Sequence, residues 1–169
     1  SVLNHNKGEI KSLNFFITEA KRMGIKVLGP DVNESQLNFS IANKEYIRFG
    51  LSALKGVGEG PVEELIEERK KGHYKDIFDM MRRVNLRSIN KKLLDSLAMG
   101  GALDSFQLAR AQYFAPSGGF ESFIEHLIRY GNNFQSQKDG AQASLFGEMH
   151  QAMIAEPQVP ECEEWHQLL

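Results

Sequence analysis

Two glycines at Gly56 and Gly58, preceded by Lys55, form the pattern in this sequence best suited to binding a phosphate. Glycine reaches the positive φ angles of a tight reversal and lets another backbone approach closely. A helix is predicted to start just after this hairpin, and a helix N-terminus presents free N–H groups and the positive end of a dipole. The expected phosphate ligands are the charge of Lys55 and the N–H groups of Gly56, Val57, Gly58 and Gly60.

The surrounding spacing resembles the helix-hairpin-helix motif. Apolar residues at Leu51 and Leu54 precede the glycines, and Ile66 follows one turn into the next predicted helix. Val62 departs from the motif, which usually has a small residue at that position. The order of these positions favours binding to a DNA backbone, and the alternative is a glycine-rich turn that only joins two helices. We also expect a positive φ at Gly58, so that Gly58→Val would damage binding.

A second, glycine-free link occupies residues 85–90 and precedes a predicted helix over 89–99. Lys91 and Lys92 fall in or beside the first turn of that helix, where a cation is disfavoured by about 0.3–1 kcal/mol. A bound phosphate would relieve this cost, with Arg87 beside it, and the alternative is that both lysines are simply exposed.

Composition limits the class of protein. The chain has 169 residues, 41% hydrophobic and 25% charged, which is ordinary for a globular protein. It has neither an apolar run of membrane-spanning length nor a signal peptide, so no membrane partner and a cytoplasmic location are expected. The single cysteine, Cys162, excludes an internal disulfide and suits a reducing compartment. Its spacing to His166 resembles a metal pair, but no second pair completes a site, and we expect no metal ligands.

Charge is unevenly distributed along the chain. Residues 48–110 carry 12 Lys and Arg against 9 Asp and Glu, whereas residues 111–169 carry 2 against 8. The basic middle is suited to meeting phosphates and the acidic end is repelled by them, although a weakly basic surface is also ordinary.

Hydrophobic periodicity predicts a mainly α fold in three parts. Residues 1–49 form a small α+β segment, residues 50–131 form a helical helix-hairpin-helix domain, and residues 132–169 form a loosely ordered, polar tail. In the first part we expect an amphipathic helix over 12–23, a strand over 25–28, and a hairpin that pairs 39–41 with 47–49. The apolar residues that repeat at helical spacing in this helix are Leu13, Phe16, Ile17 and Ala20. Further helices are predicted near 61–71, 76–84, 89–99 and 119–131.

The polar tail contains one peptide, Gln142-Ala-Ser-Leu-Phe146, that ends in two large apolar residues. Such a peptide can dock in an extended form and bury Leu145 and Phe146 in a partner's pocket. From physical reasoning alone, packing of these two side chains on their own domain is favoured.

Three blocks of the sequence are similar to one protein family and occur in its order. They are Lys21-Arg-Met-Gly-Ile-Lys-Val-Leu-Gly-Pro-Asp-Val-Asn33, Tyr46-Ile-Arg-Phe-Gly-Leu-Ser-Ala-Leu-Lys-Gly-Val-Gly58, and Ile89-Asn-Lys-Lys-Leu-Leu-Asp95 leading to Gly101-Ala-Leu-Asp104. The chain resembles the bacterial replicative DNA polymerase III alpha subunit, a C-family polymerase. The resemblance implies the end of a fingers region, then a domain that holds the duplex, then a pentapeptide that docks on the sliding clamp through Gln142, Ser144, Leu145 and Phe146.

The same resemblance implies that catalysis occurs elsewhere. The family's catalytic aspartates, and the Mg²⁺ they would use, belong to a palm domain upstream of these residues. Asp76 and Asp79 are better interpreted as a helix cap and as a partner of Arg83, so we expect no catalytic residue and no cofactor in this chain.

The sequence therefore predicts a non-catalytic part of a DNA-directed DNA polymerase in bacterial replication. Its expected partners are double-stranded DNA, the sliding clamp, and other domains and subunits of the replicative polymerase. Two alternatives remain open: a protein-interaction scaffold of the helix-hairpin-helix type, and a DNA repair enzyme of the hairpin class.

Overall fold

The computed structural model describes residues 7–42, 45–141 and 154–161. These ranges contain five α-helices and one three-stranded sheet, so the predicted mainly α fold with a small α+β segment is confirmed. The elements are α1 (Lys7–Arg22), β1 (Lys26–Leu28), β2 (Ser40–Ala42), β3 (Tyr46–Arg48), α2 (Glu59–Arg69), α3 (Ile77–Arg83), α4 (Lys91–Met99) and α5 (Phe123–Ala141), with short 3₁₀ helices at Leu51–Ala53, Asp104–Phe106 and Arg110–Phe114.

The N-terminal α+β segment places β3 between the other two strands. β3 pairs in parallel with β1 and antiparallel with β2, as the predicted hairpin requires. α1 packs on β1 and ends before Gly24, whose φ of +79° stops the helix. On the apolar face predicted for this helix, Ala20 is buried, whereas the side chain of Phe16 is 56% exposed. Three strands of three residues each form a sheet too narrow to cover that face of α1.

The link between β1 and β2 packs into the helical part of the chain. Val32 is fully buried, its N–H donates to the carbonyl of Ala102 at 3.0 Å, and its carbonyl accepts from Arg69 Nη1 at 3.0 Å. Asn33 exchanges two hydrogen bonds with the backbone of Tyr74, of 2.8 and 3.0 Å. This packing crosses the predicted boundary between residues 49 and 50.

The helices α2 to α5 share one apolar core, which fixes how the two connecting turns face solvent. α5 lies so close to α3 that a Cβ at Gly131 would come within 2.6 Å of the carbonyl oxygen of Met81. The fully buried side chains of this core are Leu51, Val62, Leu65, Met80, Met81, Ile89, Leu97, Tyr113 and Phe123.

Helix α5 continues through Ala141, so the prediction that it ends at residue 131 is wrong. The extra turns are polar but are fixed by a contact between helices. Gln135 Nε2 donates to the carbonyls of Met81 at 3.1 Å and Val84 at 2.8 Å, at the end of α3. The last carbonyls of a helix have no hydrogen-bond partner within that helix, and the side-chain amide of Gln135 donates to two carbonyls at this end of α3.

Part of the predicted tail, residues 154–161, also lies against the helical core. Pro157 is buried, Arg82 Nη1 binds Glu156 Oε1 at 3.0 Å, and Gln112 Nε2 donates to the carbonyl of Pro160 at 2.9 Å. The chain therefore contacts the same helical part on both sides of residues 142–153.

Candidate nucleic-acid interface

The first hairpin, residues 54–58, connects the 3₁₀ helix at Leu51–Ala53 to α2. Two apolar side chains hold it in place. Leu54 packs on Gly100 at the end of α4, where a Cβ would lie only 2.2 Å from Leu54 Cδ2, and Val57 is buried in the core. Lys55 and Gly56, which lie between these contacts, are exposed.

The backbone turns at Gly56 rather than at Gly58. Gly56 has φ of +84°, a region that favours glycine, whereas Gly58 has φ of −81° and is the N-cap of α2. The expected positive φ at Gly58 is therefore wrong. A Cβ at Gly58 would meet Pro61 Cδ at 3.5 Å, an ordinary contact, so a small side chain fits there.

The first hairpin leaves several backbone donors open. Within the described ranges, the N–H groups of Gly56, Gly58 and Gly60 have no acceptor, and Gly58 offers no side chain to cap α2. Val57 differs, because its N–H donates to the carbonyl of Leu54 at 3.3 Å. Three of the four N–H groups predicted as phosphate donors are thus available to a ligand, and the one of Val57 is used internally.

Two exposed lysines lie beside these donors. Lys55 is on the hairpin, and Lys92 reaches it from the first turn of α4, where its Cε lies 3.7 Å from the position of a Cβ on Gly56. Neither ammonium group has an ion-pair partner in the part of the chain that the structure describes. The fold therefore brings Lys92, assigned to the second link by the sequence, to the first hairpin.

The second hairpin, residues 85–90, precedes α4 and uses its central donors internally. The N–H of Arg87 donates to Asn85 Oδ1 at 3.1 Å, and those of Ser88 and Ile89 donate to the Asn85 carbonyl at 3.2 and 2.8 Å. Asn90 caps α4 by accepting from the N–H of Leu93 at 3.0 Å. The N–H groups of Arg87, Ser88 and Ile89 are therefore not offered to a phosphate, whereas those of Asn90, Lys91 and Lys92 at the start of α4 have no acceptor within the described ranges.

The cations of the second hairpin are unequal. Lys91 Nζ binds Asp95 Oδ2 at 3.1 Å, and this hydrogen bond raises the pKa of Lys91 above its usual value. Asp95 thus offsets the charge that Lys91 places in the first turn of α4. The side chain of Arg87 is exposed, and no described carboxylate pairs with it.

Acidic side chains limit where a polyanion can approach. Glu63, Glu64 and Glu67 are exposed along α2, directly after the first hairpin. Glu64 also reaches the second hairpin, where its Oε2 accepts from the hydroxyl of Ser88 at 2.7 Å. A duplex lying along α2 would be repelled, so the approach is favourable only at the hairpin ends.

Asp76 and Asp79 have the structural roles predicted for them. Asp76 caps α3 by accepting from the N–H of Asp79 at 2.7 Å, and Asp79 binds Arg83 Nη1 at 3.1 Å. Across the described ranges, no three His, Cys, Asp or Glu side chains gather as metal ligands would. None of the helices there has the length and apolar composition needed to cross a membrane.

The predicted clamp-docking residues Gln142, Ser144, Leu145 and Phe146 lie outside the described residues, as do Cys162 and His166. Two contacts of the site had no signal in the sequence analysis. Glu64 and Ser88 are 24 positions apart, and Gly100 read alone indicates only the end of a helix.

Comparison with known proteins agrees with this geometry. The profile of the helix-hairpin-helix motif family matches residues 24–113, which include both hairpins. The chain is 45% identical over 151 residues to the DNA polymerase III subunit alpha of Pseudomonas fluorescens, covering 85% of this chain and 13% of that protein. It is 34% identical over 153 residues to the Vibrio cholerae protein of the same name, covering 86% and 13%.

A third relative, from Escherichia coli strain K12, is also named DNA polymerase III subunit alpha. It is 41% identical over 96 residues, which cover 56% of this chain and 8% of that protein. Most of this chain matches the first two relatives, but it spans only about an eighth of their length. Together with the match over residues 24–113, these identities show that the chain belongs to the helix-hairpin-helix family, in the form carried by DNA polymerase III alpha subunits.

Proposed function

We propose that this chain is the part of a bacterial DNA polymerase III alpha subunit that holds double-stranded DNA by its phosphates. The observation that carries the proposal is the group of open N–H donors at Gly56, Gly58 and Gly60, flanked by Lys55 and Lys92. Main-chain donors at a helix N-terminus favour an anion, and the two ammonium groups add charge beside them.

Contacts of this kind fix the position of a duplex without reading its bases. We therefore expect binding that is independent of sequence and weakens with salt, because each neutralised phosphate releases counterions. The isolated chain would bind weakly, since one hairpin and two lysines neutralise few phosphates. In the replicating enzyme, this hold would act on the duplex that leaves the site of synthesis.

The test compares two double variants in fluorescence anisotropy titrations of a labelled duplex across a salt series. Lys55→Ala plus Lys92→Ala should weaken binding about tenfold and reduce the slope of log K against log salt by about 1.8. Lys70→Ala plus Lys75→Ala removes the same charge from the segment that links α2 to α3 and should leave most of the affinity. Equal losses in both pairs would exclude a specific role for the first hairpin.

The same titrations separate the proposal from its alternatives. A wild-type chain that fails to bind duplex DNA at low salt and high protein concentration would favour the protein-interaction scaffold. Base excision or nicking by the purified chain would favour the repair enzyme of the hairpin class. We propose instead that polymerisation and its Mg²⁺ belong to other parts of the parent protein in the bacterial cytoplasm.

The proposal includes a tether to the sliding clamp through Gln142, Ser144, Leu145 and Phe146. It is supported by the position of this peptide in the chain. The peptide follows α5, which belongs to the helical core, and precedes residues 154–161, which contact that core. A tether between clamp and duplex-holding domain raises the local concentration of DNA and so supports long synthesis.

Capture by an immobilised sliding clamp tests this tether. Leu145→Ala plus Phe146→Ala should lose capture, because two apolar anchors are removed. Met149→Ala plus Met153→Ala removes two large apolar side chains outside the pentapeptide and should keep it. Equal capture of both double variants would contradict the tether.

A further inference from the structure

A carboxylate occupies the second hairpin at the place where a phosphate would be expected by analogy with the first. Glu64, from α2, accepts a hydrogen bond of 2.7 Å from the hydroxyl of Ser88. The same hydroxyl also lies 3.2 Å from the carbonyl oxygen of Asn85. Arg87, the residue before Ser88, is exposed and has no carboxylate of its own among the described residues.

Several groups that could serve a phosphate at this turn have internal partners, although the N–H groups of Asn90, Lys91 and Lys92 have no acceptor within the described ranges. The Ser88 hydroxyl binds Glu64, the N–H groups of Arg87 and Ser88 bind Asn85, and Lys91 binds Asp95. Arg87 alone keeps an open cation, but the charge of Glu64 lies against the neighbouring residue. A phosphate approaching Arg87 therefore meets a negative charge at short range.

We propose that Glu64 keeps the second hairpin closed to phosphate, so that the duplex is held at the first hairpin alone. The proposal rests on the proposed function, because it concerns the same contact with duplex DNA. Its consequence is a hold with fewer phosphate contacts, which lets a duplex be released or moved along more easily. Removing the charge of Glu64 should make binding tighter, the opposite of what loss of a binding residue does.

Glu64→Gln tests this directly, because glutamine keeps the size and a hydrogen-bond acceptor for Ser88 and removes only the charge. In duplex titrations at low salt we expect its Kd to fall about three- to tenfold, since the repulsion acts at short range. The slope of log K against log salt should steepen by about 0.9, the value for one added phosphate contact. Thermal melting checks that the variant is folded.

Glu67→Gln is the control, since it removes the same charge from the same helix at a carboxylate that binds Lys70 and has no hydrogen bond to the second hairpin among the described residues. It should change Kd less than twofold, because exposed charges at longer range are screened. Ser88→Ala removes the hydroxyl and keeps the carboxylate, so it should give no gain. Equal gains from Glu64→Gln and Glu67→Gln would overturn the proposal and indicate only a general effect of net charge.

Arg87 provides the last arm of the test. In the Glu64→Gln background, adding Arg87→Ala should remove the gain in affinity, because Arg87 is the cation that the carboxylate opposes. A gain that persists without Arg87 would overturn the proposal. Wild-type binding with no change in Glu64→Gln overturns this inference alone, whereas no binding by any variant overturns the proposed function as well.

Discussion

Among the described residues, the turn that precedes α2 leaves three N–H groups without an acceptor, whereas the turn that precedes α4 directs three of its own onto Asn85. Both turns connect to the N-terminus of a helix in the same core. They differ in the residues that occupy them. The first has Gly56 and Gly58, which offer no side-chain acceptor, and the second has two asparagines, Asn85 and Asn90, whose amide oxygens accept from the backbone.

This difference teaches what makes such a turn a binding site rather than a connection. An asparagine at a turn or N-cap satisfies nearby donors within the protein itself. Glycine offers no side-chain acceptor, at the cost of a more flexible chain, so the open N–H groups at Gly56 and Gly58 are free to bind water or an external anion. The first hairpin is therefore suited to a ligand, and the second to joining α3 and α4.

The largest expected effect concerns the structural role of the second hairpin. Ile89 is fully buried beneath this turn. Ile89→Ala should lower the free energy of unfolding by about 2–4 kcal/mol in denaturant titrations, because it leaves a cavity in the core. The folded fraction should bind duplex DNA as the wild type does. A loss of affinity larger than the unfolded fraction explains would assign a binding role to the second hairpin.

Substitution of the two glycines of the first hairpin distinguishes the cost of a strained backbone angle from the cost of fitting a side chain. Gly56→Ala places a side chain at φ of +84° and should cost about 1–2 kcal/mol of stability. Gly58→Ala, at φ of −81° with room for a Cβ, should cost about 0.5 kcal/mol, because alanine is a poorer N-cap than glycine. Thermal or denaturant unfolding measures both, and a larger cost at Gly58 than at Gly56 would contradict the observed backbone.

Removing the N-cap side chain of α4 and adding one to α2 should change stability by a smaller amount. Asn90→Ala removes the cap of α4 and should cost about 1 kcal/mol of stability with little change in DNA affinity. Gly58→Ser supplies a cap to α2 and should add a few tenths of a kcal/mol. Its hydroxyl would accept from Gly60, because Pro61 has no N–H, and so compete with phosphate. Unchanged or tighter DNA binding by Gly58→Ser would argue against phosphate at that donor.

The smallest expected changes in stability come from substituting the adjacent lysines Lys91 and Lys92. The two substitutions should differ in their effect on DNA affinity. Lys91→Ala breaks the ion pair with Asp95 and should cost at most about 0.5 kcal/mol of stability, with less than a twofold change in DNA affinity. Lys92→Ala should leave stability unchanged and weaken DNA binding more than Lys91→Ala does. The reverse order in anisotropy titrations would move the site from the first hairpin to the second hairpin at the start of α4.

Local patterns in the sequence were sufficient for much of the fold. The cap at Asp76 and the apolar spacing of α2 to α4 each depend on a few neighbouring residues. The elements built from them agree with the structure to within a few residues. The motif around the first hairpin was visible for the same reason.

Contacts between distant residues could not be predicted in this way. The last turns of α5 are polar and lack periodicity, yet Gln135 ties them to the end of α3. Likewise, Lys92 meets Gly56 because Leu54 packs on Gly100, and Glu64 meets Ser88 because α2 passes the second hairpin. Tertiary packing therefore decides which residues meet at the site, although each of these residues belongs to a local pattern that is visible in the sequence.

The most direct test of the account follows the backbone amides themselves. Nuclear magnetic resonance of the ¹⁵N-labelled chain, titrated with a short duplex at low salt, reports each N–H separately. The account predicts that the amide signals of Gly56, Gly58 and Gly60 shift, while those of Arg87, Ser88 and Ile89, which are bonded to Asn85, stay in place. Shifts confined to Arg87, Ser88 and Ile89, with the three glycines unmoved, would contradict it.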